Sequence, residues 1–163
     1  MKSNWRSGSK VNVSYNEILS ILKRVSKNKD HKIIVGSDSV KLGEYFVFTN
    51  AICILNKNGE YDCRYFYLKE KIFDDKFYDL SSRLIKETSD SIDIAINLRE
   101  IIHNANIEIH ADVNNDIKHK SGKLKNYVIG YISGCGFDYK IKPDSFVASG
   151  IADNHTRKAW KLM

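Results

Sequence analysis

The stretch Lys32-Ile33-Ile34-Val35-Gly36-Ser37-Asp38-Ser39 constrains the fold more than any other. A continuous β-branched run has no polar side to give to water, so it belongs to a strand covered on both faces at the centre of an α/β sheet. The run closes on Gly, Ser and Asp, which delivers the Asp38 carboxylate to the rim of that sheet. Such rims are where α/β proteins keep their chemistry.

The rest of the chain arranges itself around this strand. Residues 1–12 are polar and read as a flexible N-terminus, and 13–163 as a single domain. The spacing of Tyr15, Ile18, Leu19, Leu22 and Val25 predicts a short helix with Ser14 or Asn16 as its N-cap. Turns at Lys41 to Glu44 and at Asn56 to Glu60, the latter with an Asn-Gly step, separate strands over 45–55 and 61–68 from the first strand. Three strands joined so tightly form an antiparallel meander.

A long helical pattern then runs from about Asp75 to His103. Its seam through Leu80, Leu84, Ser91, Ile94, Leu98 and Ile101 is apolar except where Glu87 and Ser91 fall, so an ionisable group stands where core is expected. The alternative is a Glu87 turned to the flank and solvated. Next, 107–113 alternates as a strand with Glu108, His110 and Asp112 on one face. A basic loop carrying Lys118, Lys120, Lys123 and Lys125 leads into a helix that ends at Gly134-Cys135-Gly136. A fifth strand over 137–142 is followed by Pro143-Asp144-Ser145, a helix start with Asp144 as N-cap, and by a last helix over 146–157. Small residues at Ser149 and Gly150 would let that helix approach the sheet and bring Asp153 to the rim; the alternative is an Asp153–Arg157 pair on a wet face.

Composition narrows the class. With 42% hydrophobic and 28% charged residues and one proline among 163, the chain reads as an ordinary globular domain without linkers. No stretch approaches the roughly 20 apolar residues of a membrane span, and no leader pattern opens it. Cys53, Cys63 and Cys135 form no CxxC pair and read as free thiols of a cytoplasmic protein. The net charge of +6 favours a polyanionic partner. Neither Gly134-Cys135-Gly136 nor Ser121-Gly122-Lys123 has the spacing or context of a phosphate-binding loop, which excludes nucleotide binding through such a motif.

Three meander strands, a long helix, a strand, a helix, a strand and a final helix make the ribonuclease H-like order: a mixed five-stranded sheet flanked by helices. Asp38, Glu87, Asp112 and Asp153 stand where that plan uses acids. The chain also resembles the narrower YkuK-like family, a domain of unknown function among ribonuclease H-like proteins. The likeness is carried by Val35-Gly36-Ser37-Asp38-Ser39, Ile109-His110-Ala111-Asp112, Lys142-Pro143-Asp144-Ser145, Ala148-Ser149 and Ala152-Asp153-Asn154-His155-Thr156. It implies the fold and a nuclease site.

Phosphodiester cleavage needs an activated water and charge stabilised on the attacking and leaving oxygens. Two Mg²⁺ or Mn²⁺ ions roughly 4 Å apart supply both when hard carboxylate oxygens hold them. On this plan Asp38 bridges two ions, Glu87 and Asp112 hold one, and Asp153 holds the other. His155 is a proton-shuttle candidate, with a packed histidine as the alternative. His110 shares a face with Asp112 and is placed to orient it, and Asp144 is a further candidate through the resemblance. The four loop lysines are expected to overhang the acids and meet the phosphates of RNA or DNA, with a plain solvated loop as the alternative. A proofreading-type exonuclease is disfavoured, since Ser39 and Val40 follow Asp38 where that branch has a second acid. The competing function is a non-catalytic nucleic-acid or protein binding module on the same fold.

Overall fold

The β-branched run extends in both directions into β3 (His31–Leu42), in a computed structural model that describes residues 4–56, 64–116 and 118–157. β4 (Tyr45–Asn56) pairs antiparallel on one side and β6 (Ile107–His110) parallel on the other. Ile33, Ile34 and Val35 are at most 2% exposed, so this strand is covered on both faces as the run predicts. Gly43, at φ 59, makes the tight turn into β4 in a left-handed conformation that costs a residue without Cβ nothing. β5 (Arg64–Ile72) pairs antiparallel with β4 and completes the meander. The expected Asn58-Gly59 step, the strand start at Tyr61 and Cys63 lie outside the described residues.

Among the described residues the sheet has seven strands rather than five, ordered β2-β1-β5-β4-β3-β6-β7, with β7 at Asp138–Lys140. The additional two are β1 (Trp5–Ser7) and β2 (Asn12–Val13), in the stretch read as flexible. Trp5 is the reason: it is 2% exposed and packs beside Tyr15. Burial of an indole is worth several kcal/mol, enough to offset the ordering of a short hairpin.

α1 (Tyr15–Val25) begins with a capping box between Ser14 and Glu17 and buries Ile18 and Leu22. The helix expected from Asp75 to His103 is instead a 3₁₀ turn, Asp75–Tyr78, and α2 (Leu80–Ile101). Asp79 separates them because its side chain accepts from the Ser82 N–H, a local bond that competes with continued helix and caps α2. After a 3₁₀ turn at Ser121–Leu124 come α3 (Lys125–Gly134) and β7 (Asp138–Lys140), the latter parallel to β6. The last helical stretch starts as wide i→i+5 turns over Val147–Ala152 and tightens into α4 (Asp153–Arg157).

Alternation along β3 sends its residues to two layers. Ile33 and Val35 join Leu22, Leu98 and Ile132 under α1, α2 and α3. Ile34 joins Ala51, Cys53, Val147 and Ala152 under the last helical stretch. Cys53 is buried and Cys135 half-buried. No helix among the described residues is long and apolar enough to cross a membrane.

Candidate active site

Asp38 stands five residues beyond Ile33 on β3, where β6 has already ended at the level of Gly36. Loss of the neighbouring strand opens a notch, and Asp38 is 8% exposed at its floor. Its carboxyl hydrogen-bonds the Thr156 hydroxyl and the Ser39 amide. Thr156 is present because the last helical stretch lies unusually close to the sheet at Gly36. A Cβ there would sit 2.8 Å from the Ala148 nitrogen and 3.2 Å from the His110 carbonyl oxygen. The close approach is thus made at Gly36 and Ala148. Gly150, expected to make it, has nothing within 4 Å of the place its Cβ would occupy.

Asp38, Glu87 and Asp112 line one cleft of about 320 Å³ with Arg83, His119, Lys120 and Lys142. Glu87 is not turned away to the flank: it accepts a hydrogen bond from the Ser39 hydroxyl. Ser91, one turn on, reaches Ser37 at 2.8 Å and so seats the polar seam of α2 against β3. Asp112 lies just beyond the end of β6. The strand expected to reach Val113 stops at His110, and the chain continues through single bonds, Ala111 N–H to the Lys140 carbonyl and Lys142 N–H to the Val113 carbonyl.

The acids act on one another. Burial pushes the Asp38 carboxyl up to about 7, and the charges of Asp112 and Asp153 push in the same direction. Glu87 is raised well above the usual carboxylate range by burial and then by Asp38. Asp153, half-buried on α4, therefore bears on the same carboxyl as the other two. Such mutual repulsion is relieved by a proton or by a bound cation.

The donor set suits a hard divalent ion, being carboxylate oxygen throughout. The Oδ1 of Asp112 is buried and ion-paired with Lys142, whose Nζ lies 2.8 Å away. Yet among the described residues no three His, Cys, Asp or Glu side chains are already grouped to hold an ion. Asp112 faces Lys142 and Glu87 faces Ser39, so a bound ion has to take their oxygens from these partners.

Of the loop lysines, Lys120 lines the cleft, beside His119 and Ser121. Lys118 and Lys123 are exposed and do not line it, and Lys125 is held by the Asn115 side chain, which ties the two ends of the loop. The basic overhang is therefore narrower than four lysines.

The second-rank residues are used differently from expectation. His110 does not orient Asp112: its Nε2 lies 3.0 Å from Glu108, and its Nδ1 accepts from the Val147 N–H. Burial lowers the His110 pKa, while the hydrogen bond from His110, with Lys32 beside it, draws Glu108 down to about 2. A neutral ring carrying its proton on Nε2 satisfies both contacts. His110 thereby pins the start of the last helical stretch to β6. His155 stacks on Tyr67 at 3.7 Å between centroids and 13° between planes, with Nε2 3.1 Å from the Tyr65 hydroxyl. This is the packed-histidine alternative, and it clamps α4 to β5. Asp144 is exposed and makes no capping bond; the turn starts on Phe146 without a side-chain cap.

Lys142 and Thr156 stand within the family-like motifs, yet the sequence assigns neither a role. Their signal is adjacency to Pro143 and nearness to Asp153, which marks a place in the chain and not a direction in space.

A family model described as Ribonuclease H-like matches residues 14–157. No curated protein matches. Among solved structures, the N-terminal RNase H domain of Rv2228c from Mycobacterium tuberculosis, solved as a fusion with maltose binding protein, is 14% identical at a TM-score of 0.37, with 80% of this chain and 97% of that one covered.

Proposed function

We infer, because the chain belongs to the ribonuclease H-like family, that it is a divalent-metal-dependent nuclease cleaving phosphodiester bonds in RNA, RNA·DNA hybrid or structured DNA. The motifs around Asp38, Asp112 and Asp153 support its narrower assignment to the YkuK-like branch. The observation that carries the reading is the cleft shared by Asp38, Glu87 and Asp112, with Lys120 and His119 on its wall.

Mg²⁺ or Mn²⁺, when bound, supplies positive charge to the attacking and leaving oxygens. Asp38, steadied by Thr156 and Ser39, offers the central oxygens of the site. Glu87 from α2, Asp112 from beyond β6 and Asp153 from α4 are the remaining candidates to hold the ion. Lys120 is placed to meet a non-bridging phosphate oxygen and to set the register of the strand.

Titration calorimetry with Mn²⁺ tests this without knowledge of the substrate. The wild type is expected to bind saturably, and Asp112→Asn to bind at least about tenfold more weakly, with one charged ligand gone. Lys142→Ala, which releases Asp112 from its tethered ammonium, is expected to bind more tightly than wild type. A wild type that takes up no Mn²⁺, alone or with an oligonucleotide present, overturns the nuclease reading. The ion pair of Lys142 with Asp112 is what favours the second reading, a binding module: an ammonium that permanently neutralises the acids makes a metal unnecessary.

A further inference from the structure

A second cleft, of about 370 Å³, opens at the other side of the meander and is lined by Asn4, Arg6, Asn12, Tyr67 and Lys69. Among the described residues no carboxylate forms an ion pair with its Arg6 or Lys69, or with Lys10 nearby. The charges of Arg6 and Lys10 instead press on half-buried Lys69 and, after burial itself, lower its pKa. Lys10 is held at φ 67, a left-handed conformation that a lysine adopts at a cost of about 1 kcal/mol. Three cations brought together with no counter-charge among the described residues form an anion site.

Strand register places this cleft relative to the acids. Lys69 pairs with Thr49, and Thr49 with Asp38. Residues paired directly across a sheet project to the same face. Arg6 lies in the next row of that face, through Tyr67, Ala51 and Gly36. Two inter-strand spacings separate the Lys69 and Asp38 backbones, roughly 10 Å. A nucleic-acid strand covers that distance within a few nucleotides. Tyr67, 4% exposed beneath His155, forms the cleft's rigid wall and ties it to α4, the helix that carries Asp153.

We propose that Arg6 and Lys69, with Lys10 beside them, bind a backbone phosphate of the nucleic-acid substrate a few nucleotides from the phosphate at Asp38. The proposal rests on the nucleic-acid reading of the acidic cleft but not on cleavage. Asn4 and Asn12 add neutral donors for the same phosphate oxygens.

Binding of a fluorescein-labelled single-stranded RNA and of the matching RNA·DNA hybrid, measured in EDTA across a salt series, tests it. Arg6→Gln/Lys69→Gln is expected to weaken binding about tenfold or more at low salt, and to reduce the slope of log K against log salt by between about 1 and 2. Arg6→Gln/Lys10→Gln, at two exposed positions, repeats the measurement without touching half-buried Lys69. Curves from both variants that coincide with wild type overturn the phosphate site and leave the nuclease reading standing. A wild type that binds neither oligonucleotide also overturns it, and the Mn²⁺ titration then decides separately what the acidic cleft holds. Loss of binding in the variants without any cleavage by wild type supports the site on a binding module.

Discussion

Asp38→Asn is expected to fold, to bind Mn²⁺ no longer, and to lose metal-dependent cleavage by at least about a thousandfold, or about 4 kcal/mol of transition-state stabilisation. The amide keeps the shape of the carboxyl and its contacts with Thr156 and Ser39, so only the charge is removed. The same variant carries a second, independent readout. Burial, with Asp112 and Asp153, lifts Asp38 to about 7 in the folded protein, against an ordinary aspartate value of about 3.9. Between these values the folded state holds the proton that the unfolded state has released. The metal-free protein is therefore most stable at acid pH with respect to this group, and that contribution is lost as pH rises through about 7. The loss amounts to a few kcal/mol, since every tenfold difference in proton affinity between the two states is worth about 1.4 kcal/mol. Metal-free Asp38→Asn should accordingly show a higher urea midpoint than wild type at pH 8, and a flatter dependence on pH. Equal midpoints at pH 8, together with undiminished cleavage, would remove Asp38 from the centre of the site.

The second large effect comes from a residue that touches no substrate. Gly36→Ala places a methyl 2.8 Å from the Ala148 nitrogen and 3.2 Å from both the Ala148 Cα and the His110 carbonyl oxygen, all of them backbone atoms. A flexible side chain could swing aside, but here the last helical stretch has to move off the central strand. Overpacking of this kind costs about 1–3 kcal/mol. Because Thr156 and Asp153 travel with that stretch, Mn²⁺ affinity should fall along with stability. Gly130→Ala is the control: on α3, with nothing within 4 Å of its Cβ position, it is expected to leave metal binding unchanged. It should also raise stability by up to about 1 kcal/mol through helix propensity. Urea denaturation and the Mn²⁺ titration read both variants, and a Gly36→Ala protein as stable as wild type would contradict the close approach.

Both predictions turn on backbone proximity that no periodicity announces. Gly36 was legible as part of a strand, and its neighbour Asp38 as a rim acid. The helix that presses on Gly36 comes from more than a hundred residues later in the chain. Similarly, Glu87 was legible as a polar interruption of an apolar seam. Whether it faces the cleft or the solvent was decided by Ser39, a partner from another element.

Sequence alone determined what is local or repetitive. The β-branched run specified a two-faced central strand, the step of three and four specified α1 and most of α2, and the order of elements specified a ribonuclease H-like plan. These signals are strong because hydrophobic period and chain order belong to contiguous residues. Tertiary structure decided the rest: Trp5 draws the N-terminal hairpin into the sheet, and His155 stacks on Tyr67 of β5. Lys142 meets Asp112, and Arg6 and Lys69 share a cleft one strand beyond Thr49. Each depends on which distant segments the packing brings side by side, and on the one rotamer a crowded interior leaves open.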